Sequence, residues 1–103
     1  MAQSPGPPRQ PIHPRLDAPQ AEALAAEASL AQAEPDPGRR GGWKCVVDSI
    51  RLGRHAGDGL IYVVHLYWAR KSLWGPDSMR AFVVEIDADT GRVVGIRRTH
   101  SSG

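Results

Sequence analysis

MRAFVVEIDADTGRVVGIRR, residues 79–98, has the pattern of two β-strands joined by a tight turn. Its first half places Phe82, Val84 and Ile86 on one face, and such alternation with a period of two is typical of a half-buried strand. The turn DADTG ends in Gly91, which can take a positive φ at little steric cost. Apolar residues then resume after Arg92. We therefore predict a β-hairpin here.

Two further strands are predicted upstream of this hairpin. WKCVVDSIRL, residues 43–52, alternates, whereas LIYVVHLYWA, residues 60–69, is the most apolar stretch of the chain and suits a central strand. Strict alternation in the first of them predicts one face with Val46, Ile50 and Leu52 and the other with Trp43, Cys45 and Val47. In the second it predicts one face with Leu60, Tyr62, Val64, Leu66 and Trp68. The connections are too short for crossover helices, so an antiparallel meander is expected.

An alanine-rich segment, PQAEALAAEASLAQA at residues 19–33, predicts a helix because it has strong helix formers and no glycine. Pro19 suits the first helical position, with Asp17 or Ala18 near the N-cap. If the helix docks on the sheet, the residues expected to face inward are Leu24, Ala28 and Ala31. The alternative is a helix that is only partly formed until a partner arrives, since isolated helices of this length are marginal in water.

The remaining segments divide the chain into four parts. Residues 1–18 contain five prolines and few large apolar side chains, which predicts a disordered Pro-rich leader. Residues 34–42 have the composition of a linker, and residues 43–99 form the predicted β domain. A core that small is marginal alone and usually needs a docked helix, a partner chain, a metal or disulfides. The predicted fold class is α+β, with one N-terminal helix followed by a three- or four-stranded antiparallel sheet.

Charge is unevenly distributed along the chain. Residues 1–38 carry two arginines against five acids, whereas residues 39–103 carry eleven basic residues against six acids. A basic folded part favours attraction to nucleic acid or to an acidic protein, although a solvated surface of mixed charge explains the same counts.

The cysteine count, the N-terminal pattern and the length of the apolar runs bear on cellular location. Cys45 is the only cysteine, which excludes an intrachain disulfide and fits a reducing compartment. The N-terminus lacks the pattern of a signal peptide. The longest apolar run is about half of the roughly 20 residues that a membrane span needs. We expect a cytoplasmic protein without a membrane partner.

Signals for catalysis or metal binding are absent from the sequence. The turn at Asp87 and Asp89 resembles the opening of a calcium loop, but Arg98 stands where that loop needs a bidentate glutamate. The four histidines are scattered and suggest neither a zinc site nor a Cys–His dyad: His13, His55, His65 and His100. The glycines of residues 53–59 join two strands, which is the wrong context for a phosphate loop. We expect no enzyme, no metal and no cofactor.

The string FVVEIDADTGRVV, residues 82–94, resembles the closing hairpin of PepSY-like domains, whose pattern is Y-x-V-x-I-D-A-x-T-G-x-V. The matching positions are Phe82, Val84, Ile86, Asp87, Ala88, Thr90, Gly91 and Val93 or Val94. The resemblance covers about fifteen residues closely and about sixty loosely, in the order helix and then strands. It implies a helix-plus-sheet module with a non-catalytic binding or inhibitory role.

Binding to another macromolecule is therefore the predicted function. Aromatic residues and arginine dominate the energetics of interfaces, which selects as contact residues Trp68, Arg70, Lys71, Trp74 and Arg80. The open face of the sheet is expected to expose some of Trp43, Val63, Tyr67 and Val83. A protein partner is the first hypothesis, for an adaptor, inhibitor or enzyme accessory subunit. Nucleic-acid binding by a basic, aromatic sheet is the alternative, and a homodimer through an edge strand is a further option.

Overall fold

One α-helix precedes a four-stranded antiparallel sheet of strand order β1-β2-β3-β4 in the computed structural model, which describes residues 15–54 and 59–99. The elements are α1 (Ala18–Ala33), a 3₁₀ helix (Pro37–Gly42), β1 (Lys44–Arg54), β2 (Leu60–Arg70), β3 (Ser78–Asp87) and β4 (Val93–Thr99). The predicted α+β meander is thereby confirmed. The predicted disorder of residues 1–14, and the predictions for His13, His55 and His100, lie outside the described residues.

α1 begins at a capping box. The Asp17 carboxylate accepts a hydrogen bond from the Gln20 N–H at 2.9 Å, and the Gln20 side chain accepts one from the Asp17 N–H at 2.9 Å. This exchange satisfies two backbone donors that a helix start otherwise leaves unpaired. Just upstream, the Leu16 N–H donates to the Ala88 carbonyl at 2.9 Å. The last residues of the predicted leader are therefore attached to the domain, which corrects its boundary at residue 18.

The helix docks on the sheet through a stripe of small residues. Ala21, Ala25, Ser29 and Ala33 are buried at a spacing of four, so they lie on one helix face. The predicted inward face was only partly right: Leu24 packs against the core, but Ala31 is exposed and Ala28 does not belong to the core cluster. Small side chains allow the helix axis to approach the sheet closely, and the leucines then pack at the flanks of the contact.

β1 contains a bulge that shifts its alternation. The register with β2 changes between Val47 and Ser49, leaving one extra residue, Asp48, in β1. As a result Ile50 packs in the same cluster as Cys45 and Val47, beneath α1. The predicted separation of Ile50 from those two residues was therefore wrong, since it assumed an unbroken period of two.

Both faces of the sheet carry buried side chains. The helix-facing core includes the alternating residues of β2 and β3, as predicted: Tyr62, Val64, Leu66, Trp68, Phe82, Val84 and Ile86. The opposite face has a small buried cluster of Ile61, Val63 and Val83. Of the four residues of which some were expected on the open face, Trp43, Val63 and Val83 are buried and at most 7% exposed. Tyr67 alone of that predicted set remains half-exposed.

The β3–β4 turn has the predicted chemistry. Asp87 Oδ1 accepts hydrogen bonds from the N–H groups of Asp89 at 2.8 Å and Thr90 at 3.0 Å. Gly91 takes a φ of +78° and donates its N–H to the Asp87 carbonyl at 2.9 Å. The side-chain carboxylate thus organises the turn, and glycine supplies the left-handed residue that closes it.

Candidate binding surface

The predicted contact residues do not form one surface. Trp68 lies beneath α1 and is 7% exposed, and its indole Nε1–H donates to Ser29 Oγ at 2.8 Å. This burial argues against a direct contact by Trp68, whose role in the described structure is to pack the core and to satisfy its own indole N–H.

Arg70 and Arg80 cover another buried aromatic residue. Their guanidinium carbons lie 5.0 and 5.7 Å from the ring centroid of Trp43, within the range of cation–π interaction. Glu34 Oε1 accepts from both Arg70 Nη1 and the Trp43 indole N–H, each at 3.3 Å. Since Glu34 follows the negative end of the α1 dipole, the Arg70 charge offsets an otherwise unfavourable carboxylate. These two arginines close one end of the core.

Trp74 and Lys71 belong to the β2–β3 loop, which projects from the domain. Leu73 and Trp74 are 91% and 95% exposed. The Ser72 N–H donates to Asp77 Oδ1 at 3.0 Å, and the Trp74 N–H donates to Ser72 Oγ at 3.3 Å. Local hydrogen bonds therefore shape a loop that presents two large apolar side chains to water. Sequence reasoning missed Leu73, although an apolar pair within a short strand connection was a usable signal.

A groove of about 390 Å³ adjoins this loop on the open face of the sheet. Lys44 pairs with Ala69, and Val46 pairs with Tyr67, so β1 and β2 supply its floor. Lys71 lines the groove and also begins the loop, which makes the two features continuous. We call Lys44, Val46, Tyr67, Lys71, Leu73 and Trp74 together the loop–groove surface.

The charged residues of the loop–groove surface are all basic. Lys44 and Lys71 both line the groove, and both residues are exposed. Of the described residues, those that line it include no aspartate or glutamate. Like charges sharing a groove repel each other, so an acidic group placed between them would be attracted. The surface can therefore hold an apolar contact and an anion side by side.

A second groove of about 390 Å³ lies between the start of α1 and the β3–β4 turn. It is lined by Leu16, Gln20, Ala23, Leu24, Thr90 and Gly91. Gln20 is already engaged in the capping box, and the described residues that line the groove include no charged one. This groove has fewer groups for recognition than the loop–groove surface.

The pKa shifts of side chains outside the loop–groove surface have structural causes. Burial, together with the nearby Glu22 charge, raises the pKa of the Cys45 thiol, which favours the less reactive protonated form. Backbone hydrogen bonds from Thr90 and Asp89 lower the pKa of Asp87. His65 lies in the middle of β2, where it pairs with Ser49 of β1 and Val83 of β3. Within residues 15–54 and 59–99, no group of three His, Cys, Asp or Glu side chains is arranged to hold a metal.

Comparison with known proteins yields no match, either to a family model, to a curated protein or to a solved structure. In the part of the chain that the structure describes, no helix has the length and apolar character that a membrane crossing requires. The resemblance to PepSY-like domains stays a prediction. The loop–groove surface is therefore supported as a binding site by its geometry alone.

Proposed function

We propose that this protein is a non-catalytic module that binds another protein through the loop–groove surface. The observation that carries the proposal is the almost complete exposure of Leu73 and Trp74 in a loop with its own hydrogen bonds. Exposed apolar residues are costly in water, and contiguous ones mark interaction sites. Tryptophan is also among the residues that contribute most to binding when an interface covers them.

The chemistry of the surface favours a partner with apolar and acidic groups close together. Trp74 and Leu73 supply apolar area, and half-exposed Tyr67 extends it into the groove. Lys44 and Lys71 would select acidic side chains and accelerate encounter with an acidic partner. Adaptors, inhibitors and accessory subunits all fit this description.

Nucleic-acid binding, the alternative from the sequence, has less support. Base stacking needs exposed aromatic rings beside cations. Of the six aromatic residues, four are buried, namely Trp43, Tyr62, Trp68 and Phe82. Arg70 and Arg80, counted among the basic contacts, lie against Trp43 instead. Tyr67 and Trp74 remain as a small stacking area.

The proposed module has no catalytic role and lies in the cytoplasm. A binding role needs no reactive group, and the raised pKa of Cys45 supports a packing residue there. The single cysteine fits a reducing compartment, so we propose a cytoplasmic location. The PepSY-like hairpin pattern supports binding or inhibition over catalysis.

Site-specific photocrosslinking in native lysate tests this function. A photoreactive residue replaces Leu73 in the tagged full chain, and the matched control carries it at Arg92, which is also exposed but lies at the β3–β4 turn. The expected result is a discrete protein adduct at position 73 alone, unaffected by nuclease. Trp74→Ala should weaken capture by about tenfold or more. Equal adducts at both positions, or adducts lost on nuclease treatment, would contradict the proposal.

A further inference from the structure

The groove lies directly beside an open sheet edge. β1 is an outer strand, and its far side faces no other strand among the described residues. Such an edge presents backbone N–H and C=O groups that can pair with an added strand. Because Lys44 and Val46 belong to β1 and also line the groove, a strand added there would place alternate side chains on the same face of the sheet as the groove.

The bulge limits where an added strand can pair. It lies between Val47 and Ser49, and it disturbs the regular geometry of the edge from Asp48 onward. Residues 44–47 precede it and remain regular. The accessible edge is therefore a short segment, and it coincides with the groove.

Charge indicates what can pair with this segment. A second copy of the chain would bring either β1, with Lys44, Arg51 and Arg54 against Asp48, or β4, with Arg97 and Arg98 and no acid. Both choices place basic strands side by side, which is unfavourable. An acidic segment instead gains from Lys44 and Lys71 together.

We propose that an extended acidic segment of the partner protein adds to residues 44–47 as a fifth strand, an inference that rests on the proposed function. Side chains two residues apart on that segment lie on the groove side. One stands opposite Lys44 and is acidic, on the face of the sheet that Lys71 also lines, and the other stands opposite Val46 and is apolar, on the same face as Tyr67. The recognised pattern is thus an acidic and an apolar residue separated by one position. Leu73 and Trp74 contact the partner beyond this segment.

Selection from an immobilised library of short random peptides tests the pairing, with the tagged full chain as bait. Enriched sequences should share the acidic and apolar residues at this spacing. The Lys44→Glu and Lys71→Glu variants should each weaken binding of an enriched peptide by about tenfold. Arg54→Glu changes the same charge on the same strand beyond the bulge, and it should have little effect. If the library yields no peptide that distinguishes these variants, the inference is wrong.

N-methylation of the enriched peptide separates strand pairing from side-chain docking. Methyl groups on alternate residues, those whose N–H groups face β1, should abolish binding, whereas the intervening positions should tolerate them. Tolerance at every position would overturn the added strand. If the photocrosslink at position 73 persists in that case, the protein-binding function stands and only this inference fails. Binding of oligonucleotides in place of peptides, or concentration-dependent dimers lost in Lys44→Glu, would also overturn it.

Discussion

The indole N–H of Trp68 donates a hydrogen bond to Ser29 Oγ at 2.8 Å, and the Ser29 hydroxyl donates onward to the Ala25 carbonyl at 2.7 Å. Both side chains are buried, and the pair connects the centre of the sheet to α1. A helix whose docking face is nearly all alanine has little apolar area with which to specify its position. This polar connection supplies a specific one, because the buried indole donor is satisfied only when Ser29 stands over it.

Ser29→Ala should therefore destabilise the protein. The indole N–H would lose its partner, which costs about 1–3 kcal/mol, and the better helix propensity of alanine would return about 0.5 kcal/mol. Urea unfolding followed by far-UV circular dichroism measures the difference. Ala31→Ser, at an exposed position of the same helix, is the control and should cost only the propensity term. An unchanged unfolding free energy for Ser29→Ala would contradict the structural role of this bond.

Leucine at two alanine positions tests which helix face docks. Ala25→Leu inserts three heavy atoms where α1 meets the sheet, so it should cost about 1–3 kcal/mol or more. Ala31→Leu, at the exposed position that the sequence had predicted to face inward, should change the unfolding free energy by less than about 0.5 kcal/mol. Thermal and urea unfolding distinguish them. The opposite order of effects would mean that the helix docks through the other face.

Gly91→Ala should destabilise the β3–β4 turn. The φ of +78° is unfavourable for alanine, and an added Cβ would lie 3.2 Å from Leu24 Cδ1. The left-handed conformation alone costs roughly 1–2 kcal/mol. Gly53→Ala is the matched control, since no atom of the described residues lies within 4 Å of its added Cβ, and it should be neutral or slightly stabilising. Equal urea midpoints for the two variants would refute this reading of the turn.

Acid should weaken the protein through Asp87. Backbone hydrogen bonds from Thr90 and Asp89 lower the pKa of this carboxyl in the folded state. A lowered folded pKa contributes stability above the unfolded pKa of about 3.9, and that contribution is lost as pH falls through the folded pKa. NMR titration should place Asp87 below its ordinary range, and Asp87→Asn should flatten the acid limb of the stability curve. Thr90→Val keeps the backbone donor and should retain most of the lowering; an ordinary Asp87 pKa in the wild type would count against the turn geometry.

Two tryptophans should separate stability from binding. Trp68→Ala removes a buried ring and should cost about 3–5 kcal/mol, enough to unfold much of a small domain. Trp74→Ala removes an exposed ring, so the unfolding free energy should change by less than about 0.5 kcal/mol while partner capture falls. Circular dichroism and the crosslinking assay report the two effects. A Trp74→Ala protein that is unfolded would remove Trp74 from the binding hypothesis.

Local patterns sufficed to predict much of this fold. The hairpin of residues 79–98 was predictable because alternation, an Asx turn and a glycine at the left-handed position all act within a few residues. The same holds for α1, whose capping residue and following prolines define its ends. Short connections then left an antiparallel meander as the expected topology.

Contacts between distant segments determined the features that were predicted incorrectly. The bulge at Asp48 is visible only as a register against β2, and it alone reverses which face Ile50 joins. The docking face of α1 follows from how closely a helix can approach this sheet, which favours Ala25 and Ser29 over Leu24.

The candidate site, too, was predictable from the sequence only in part. The sequence was sufficient to select the aromatic and basic side chains between positions 68 and 80 as candidates. Composition cannot distinguish a tryptophan that donates to Ser29 from one that is exposed to water. Trp68 and Trp74 are chemically identical, and their roles differ because one lies within β2 beneath the helix and the other in a loop beyond it. Turns and helix caps are determined by neighbouring residues in the sequence. The burial of a side chain depends instead on which distant segments lie against it in the folded protein.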